Sequence, residues 1–337
     1  MSYIHATAPH YPTVPVTGDL IANYMSKTFI SLPEPLSVKE AREMFLQQLN
    51  DDHFPCAVFV VSGDNLRGIL STRTLLQASD DNQPVAQLMT TTLYHVGPDD
   101  TRDVAAELIE KHRLTLLPVI KNGKLIGCLN EKEIAQLLAD EITEDTQLQG
   151  ATLPLEKPYL EISPVTLWKK RAVWLLLLFI AEAYTSTVIQ HFEEALESAI
   201  ALAFFIPLLI GTGGNSGTQI TSTLVRAMAL GEVGLRDLGR ILRKEMSTAM
   251  LVAITLGAAG CLRAWIMGIG PEITFIVSLT LLCVTLWSAV VSSVIPLVIK
   301  RVGIDPAVVS APFIATLIDG TGLIIYFKIA QHFLGLN

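Results

Sequence analysis

Apolar and polar residues follow two different patterns along this chain, and the change falls near residue 164. Beyond it, long apolar runs recur at about Ala172–Ile189, Ile200–Leu224, Met246–Ile266, Ile273–Ile299 and Ala307–Phe333. Each comes close to the roughly 20 mainly apolar residues that a helix needs to cross the hydrocarbon of a bilayer. Before residue 164 the apolar runs are short and separated by turn signals. CAVFVVSGDNLRGILSTRTLL (Cys56–Leu76) is echoed by TLLPVIKNGKLIGCLNEKEIAQLL (Thr115–Leu138), with Gly68 matching Gly127. Tyr24-Met25-Ser26 is echoed by Leu88-Met89-Thr90, and Ala41 by Ala105. Each unit predicts a short strand, a helix, two strands joined by a turn at Asp64-Asn65 or Asn122-Gly123, and a closing helix. One such unit cannot close its own core, so the two are expected to form one module. The expected fold class is an α+β module followed by an all-α membrane domain of five transmembrane helices.

The pattern divides the chain into four parts. Residues 1–23 are rich in Pro and Thr, lack periodicity, and read as a flexible lead-in. Residues 24–140 hold the tandem module, with copies at 24–82 and 83–140. Residues 141–168 read as a connecting helix and a linker marked by Pro154, Pro158 and Pro164, and residues 169–337 as the membrane domain. Charge sharpens this division. Residues 1–164 carry 12 Lys and Arg against 22 Asp and Glu, whereas residues 165–337 carry 12 against 10. The acidic first half argues against a nucleic-acid partner and is compatible with cation sensing.

Basic residues cluster before the first run (Lys169, Lys170, Arg171), between the second and third (Arg226 to Lys244) and between the fourth and fifth (Lys300, Arg301). Glu193, Glu194 and Glu197 fall between the first and second. The positive-inside rule then puts the N-terminal half in the cytoplasm and the C-terminus outside a cell inner membrane. The start, MSYIHATAPHYPTVP, is not a signal peptide. The four cysteines show no metal or disulfide spacing. No GxxxxGK[ST] loop is present, so no ATP-driven step and no enzyme are expected.

Two stretches carry candidate chemistry. FFIPLLIGTGGNSGTQITST (Phe204–Thr223) has Gly211, Gly213, Gly214 and Gly217 with Asn215 and Gln219 among them. Glycines at this density predict a break or kink, and polar residues there predict a wet path. Asp319, near the middle of the last run, is expensive in hydrocarbon and is a functional candidate by default. Gly320, Thr321, Gly322 and Pro312 predict a second break that exposes carbonyl oxygens. All these donors are oxygens, which suits a hard cation such as Mg²⁺. One Asp per chain is thin for a doubly charged ion, and a symmetric homodimer would supply two. Glu182 either lines a vestibule or bonds to Tyr184, Thr185 or Thr187. Asp305 reads as the cap of the last span, or as a group at its inner mouth. Before the membrane, Asp140, Glu141, Glu144 and Asp145 lie on adjacent turns of one helix, where water, a basic partner or a divalent cation would relieve their repulsion.

The repeat resembles a pair of CBS (cystathionine-β-synthase-type) motifs, which often bind adenine nucleotides through a Ser/Thr and an Asp three residues on. Here those positions hold Ser71 with Thr74 and Asn130 with Glu133, which argues against ATP binding. With the acidic helix, the five spans, IPLLIGTGGNSGTQ and DPAVVSAPFIATLIDGTGLIIYF (Asp305–Phe327), the chain resembles the MgtE family of magnesium channels. The resemblance implies a homodimer whose pore is lined by the second and fifth spans. It implies that Asp319 holds a largely hydrated Mg²⁺, with Gly211, Asn215 and the Ala315 carbonyl lining the site and Gly214 and Thr316 supporting it. It also implies closure by cytosolic Mg²⁺ on the CBS module and on the acids from Asp140 to Asp145. Relatives carry a further acidic helical domain before the CBS pair; only residues 1–23 stand there here, so gating is expected to centre on the connecting helix. A pore-lining Asn of some relatives is Ala311 here. The alternatives are a broader carrier or exchanger of Co²⁺, Mn²⁺ or Ni²⁺, and a CBS membrane sensor without transport.

Overall fold

A computed structural model describes residues 4–5, 19–49, 54–155 and 159–335. Most of the lead-in expected over residues 1–23 lies outside these, as does Pro158 of the expected linker. The chain forms two units, Met1–Ile142 and Thr143–Asn337.

The first unit contains β1 (Ile4–His5), α1 (Ile21–Tyr24), β2 (Ser31–Pro33), α2 (Val38–Gln48), β3 (Ala57–Ser62), β4 (Asn65–Ser71) and α3 (Thr72–Gln77). It continues with β5 (Tyr94–His95), α4 (Arg102–His112), β6 (Leu117–Lys121), β7 (Lys124–Leu129) and α5 (Glu131–Gln149), whose end enters the second unit. One sheet has the order β2-β3-β4-β7-β6, with β2 parallel to β3 and its other pairs antiparallel. The repeat is kept in register: Gly68 faces Val60, Gly127 faces Val119, and both hairpins shift register immediately after.

The paired glycines show why two copies are needed. A Cβ on Gly68 would fall 2.5 Å from Met89 Sδ, and one on Gly127 would fall 2.8 Å from the Ser26 carbonyl and 3.1 Å from Met25 Sδ. Met89 begins the second copy and Met25 the first, so each copy's leading segment packs on the other's hairpin. The backbone repeats the exchange. The Ser26 and Cys128 N–H groups donate to each other's carbonyls at 2.8 and 2.9 Å, and those of Thr90 and Ile69 do so at 2.8 and 3.0 Å. Ile21, from the first copy's lead, is buried in the second copy's core with Val96, Leu117 and Leu129. Burial at this seam pushes the Cys128 thiol up to about 12.

The second unit contains α6 (Pro164–His191), α7 (Glu193–Ser198), α8 (Ile206–Ala229), α9 (Leu238–Ile266), α10 (Pro271–Val302) and α11 (Ala311–Leu334). Among the described residues, five helices are long and apolar enough to cross a membrane: α6, α8, α9, α10 and α11. α10 is the centre, packed against α8, α9 and α11. α6 packs on α11 and leaves Leu175, Leu176, Phe179 and Ile180 exposed.

The expected helix breaks do not occur. α8 runs unbroken through its four glycines, and α11 through Gly320 and Gly322. The glycines let helices approach instead. A Cβ on Gly213 would lie 2.7 Å from Val284 and 2.8 Å from Ile318, and one on Gly320 would lie 2.7 Å from the Tyr184 ring. One on Gly217 would overlap Ile318 and fall 2.8 Å from Ser292 Oγ. Helices in lipid associate through such close packing, because there is no water to expel between them. The last span also starts later than expected. Asp305 accepts from the Ala307 N–H and caps only the short turn Pro306–Val308, while Ser310 caps α11. Pro312 stands in the first turn of α11, where its missing N–H costs nothing, so it frees no mid-span carbonyl.

Candidate ion site

α8 and α11 pack side by side, and the glycine at position 214 sets how closely. A Cβ there would lie 3.2 Å from Ala315 Cβ and 3.2 Å from Asp319 Oδ1. The contact brings together three of the residues singled out in the sequence: Gly214, Ala315 and Asp319. Asp319 is the ninth of 24 residues in α11, a third of the way along rather than at its middle. Its Oδ1 is buried and has no hydrogen-bond partner among the described residues. A buried acceptor left unmade costs about 1–3 kcal/mol, and more when charged.

Gly211 and Asn215, one turn apart, lie on an adjoining face of α8. Asn215 is exposed, and a Cβ at Gly211 would meet nothing within 4 Å. Gln219 continues this polar face and is exposed too. Thr316 is half-buried on α11, one turn before Asp319. The Ala315 carbonyl belongs to an unbroken helix, whose carbonyls accept from the N–H four residues on, so it is not a freed ligand. Glu182 is exposed and makes none of the hydrogen bonds expected of it to Tyr184, Thr185 or Thr187. Among the described residues, no three His, Cys, Asp or Glu come together as a metal cage.

Residues on α10 hold this arrangement, and the sequence reading passed over them. Trp287 Nε1 donates to Thr321 Oγ1 at 2.8 Å, and Thr321 donates to the Leu317 carbonyl at 2.8 Å. Ser288 Oγ donates to the Gly213 carbonyl at 2.9 Å. The available signal was the run of polar positions Thr280, Thr285, Ser288, Ser292 and Ser293 inside the most apolar span.

The acids before the membrane are already engaged in part. Tyr24 OH donates to Asp140 Oδ2 at 3.0 Å. Arg102 Nε donates to Glu141 Oε2 at 2.7 Å, and its Nη1 donates to Tyr24 OH at 3.0 Å and lies 3.4 Å from Asp19 Oδ1. Burial works against the Arg102 charge, but the bonds to Glu141 and Tyr24 outweigh it and hold the guanidinium above its usual range. Burial also raises the Tyr24 phenol. Arg102 was missed, although the repeat marks it: the matching position in the first copy is Val38, wholly buried. Glu144 and Asp145 lie one turn further along α5.

Residues 206–329 match the MgtE family of divalent cation transporters, and residues 19–81 and 85–140 each match the CBS domain. The chain is 33% identical over 315 residues to the magnesium transporter MgtE of Thermus thermophilus, covering 93% of this chain and 70% of that protein. The chain belongs to the MgtE family. MgtE proteins are transporters rather than enzymes, and this chain carries the CBS pair and the membrane helices of that family. The MgtE of Bacillus subtilis is 26% identical over 326 residues, covering 94% of this chain and 70% of that one. Among solved structures, the cytosolic domain of the Mg²⁺ channel MgtE in complex with ATP is 25% identical. It covers 36% of this chain and 49% of that one, with a TM-score of 0.34.

Proposed function

We propose that this protein is a Mg²⁺ channel that works as a homodimer in the cell inner membrane, with Asp319 of both copies facing the ion path. The unpartnered Oδ1 of Asp319 carries this reading. A carboxylate within a membrane span is expensive to hold in hydrocarbon, and an ion with its waters would offset that cost. Mg²⁺ keeps most of its waters and usually meets only one or two carboxylates. One Asp319 per copy and a two-fold axis supply that number. The exposed Asn215, with the half-buried Gly211 one turn before it, supplies a polar wall beside it.

The basic connections support import, with the N-terminal half in the cytoplasm. A membrane potential supplies ~4.6 kcal/mol per 100 mV for a doubly charged ion, so no ATP is needed. Cytosolic Mg²⁺ closes the pore through α5. Asp140, Glu141, Glu144 and Asp145, on adjacent turns of α5, are the acids that would sense it. No nucleotide is assigned, since Thr74 and Glu133 stand where the ribose-binding Asp would be. The family's wider description as divalent cation transporters favours a second reading, in which Co²⁺, Mn²⁺ or Ni²⁺ also pass.

The test is Mg²⁺ uptake into proteoliposomes by wild type, Asp319→Ala and Asp319→Asn, with low and high Mg²⁺ on the CBS side. Uptake lost in both variants, and slowed by high Mg²⁺ in wild type, supports the proposal. Undiminished uptake in both variants removes Asp319 from the mechanism. Competition by Co²⁺, Mn²⁺ or Ni²⁺ at concentrations similar to Mg²⁺ moves the second reading ahead.

A further inference from the structure

A groove of about 510 Å³ lies between α8, α9 and α10, within the membrane unit. One wall includes Phe204, just before α8, with Pro207 and Leu208 of α8, and the α9 wall includes Leu256, Ala259 and Arg263. Leu256, Ala259 and Arg263 recur at helical spacing, so they form one stripe along α9. Gly260 keeps α9 close to α10, since a Cβ there would fall 2.6 Å from Leu281. Small residues on α9 therefore make the groove, and apolar side chains line most of it.

Arg263 is the exception. It is the one ionisable residue in the lining, it is exposed, and no described residue forms an ion pair or hydrogen bond with its side chain. It stands three residues before the end of α9, beside Trp265, which is 77% exposed. An exposed Trp at a span end marks the headgroup level of a bilayer. At that depth a guanidinium finds one abundant partner, the phosphate of a lipid, which it matches with paired N–H donors. The groove below has too few polar partners for ordered water and room for an acyl chain. The helix C-terminus by itself would favour a cation at this position, but it gives no reason for an apolar groove beneath it.

We propose that this groove binds one anionic phospholipid, with its phosphate on Arg263 and an acyl chain along Leu256 and Ala259. No acidic residue lines the groove to receive a choline or ammonium group, which favours an anionic headgroup. The occupant bears on transport, because Pro207 and Leu208 belong to the helix that carries Gly211 and Asn215. A filled groove supports that helix from the lipid side.

The full chain is placed in vesicles of phosphatidylcholine and phosphatidylglycerol, with bromine on the acyl chains of one lipid or the other. Quenching is read at a Trp placed in the lining, Met267→Trp in a Trp265→Phe background, as the difference from Trp265→Phe alone. The proposal expects brominated phosphatidylglycerol to be preferred about fivefold. Arg263→Gln should abolish the preference, and Arg263→Lys should keep most of it. Ala259→Phe, which fills the groove, should lower quenching by both lipids. Equal quenching by the two lipids with Arg263 in place overturns the proposal, as does a preference that survives Arg263→Gln. Disulfide cross-linking of Ala259→Cys between copies would show the groove filled by a second copy and would overturn it too.

Discussion

Arg102 and Asp319 are both ionisable side chains held inside their own units, and their surroundings are opposite. Arg102 is 7% exposed and engages Tyr24, Asp19 and Glu141. Asp319 keeps a buried oxygen with no protein partner among the described residues. A buried charge with its partners in place is part of the architecture. One without them stores an unfavourable free energy that a ligand can relieve. The contrast predicts that the two residues separate stability from function.

The largest effect is expected at Asp319. Asp319→Asn and Asp319→Ala should bring Mg²⁺ uptake to the level of empty vesicles. They should leave the thermal stability of the purified protein unchanged or raise it, because a carboxylate whose buried oxygen has no protein partner gives way to a neutral group. A fall in stability as large as the fall in uptake would break the comparison. Arg102→Met should do the reverse. It should destabilise the first unit by about 3–5 kcal/mol, since Glu141 and Asp19 lose a buried partner. Hydrogen exchange at α4 and the start of α5 reads this directly. If the acids of α5 sense Mg²⁺, freeing Asp140 and Glu141 should also let Mg²⁺ slow uptake at severalfold lower concentration. Unchanged exchange in α5 would show that Arg102 is not what holds it.

Two glycines sharpen the comparison inside the membrane unit. Gly217→Ala puts a methyl group against Ile318, Ser292 and Ser288, and should lower stability by about 1–3 kcal/mol. Gly211→Ala meets open space within the chain, and should leave the fold intact while changing the ion path. Melting in detergent followed by size exclusion separates the two. Equal losses would mean that Gly211 also packs against something. The smallest effect is expected at Lys124, whose exposed bond to Asp64 at 2.8 Å holds the Asp64 carboxyl low and the Lys124 ammonium high. Exposed pairs of this kind contribute little, so Lys124→Gln should leave the melting temperature within error.

Much of this was legible in the sequence, for reasons that are local. Five apolar runs of bilayer length needed only counting, because chain length and hydrocarbon thickness are linked by the helix rise. The repeat announced a paired module, because echoed strands, turns and glycines reflect echoed backbone needs. Asp319 stood out because a carboxylate is expensive wherever hydrocarbon surrounds it. The role of the glycines was different. Sequence reasoning read them as helix breakers, whereas α8 and α11 continue through them and use the missing Cβ to meet Ile318, Val284 and Tyr184. Gly in a helix interior costs about 1 kcal/mol against Ala, and only the neighbouring helices decide whether packing repays it. Arg102 shows the same division. Its chemistry is plain from the residue type, but its three partners come from residues 19, 24 and 141, which only the folded chain brings together. The sequence by itself determined which residues are costly to bury and how many helices can cross a membrane, because those follow from side chains and length. Tertiary structure decided which buried charge is satisfied, because that depends on what the rest of the chain places within 3 to 4 Å of it.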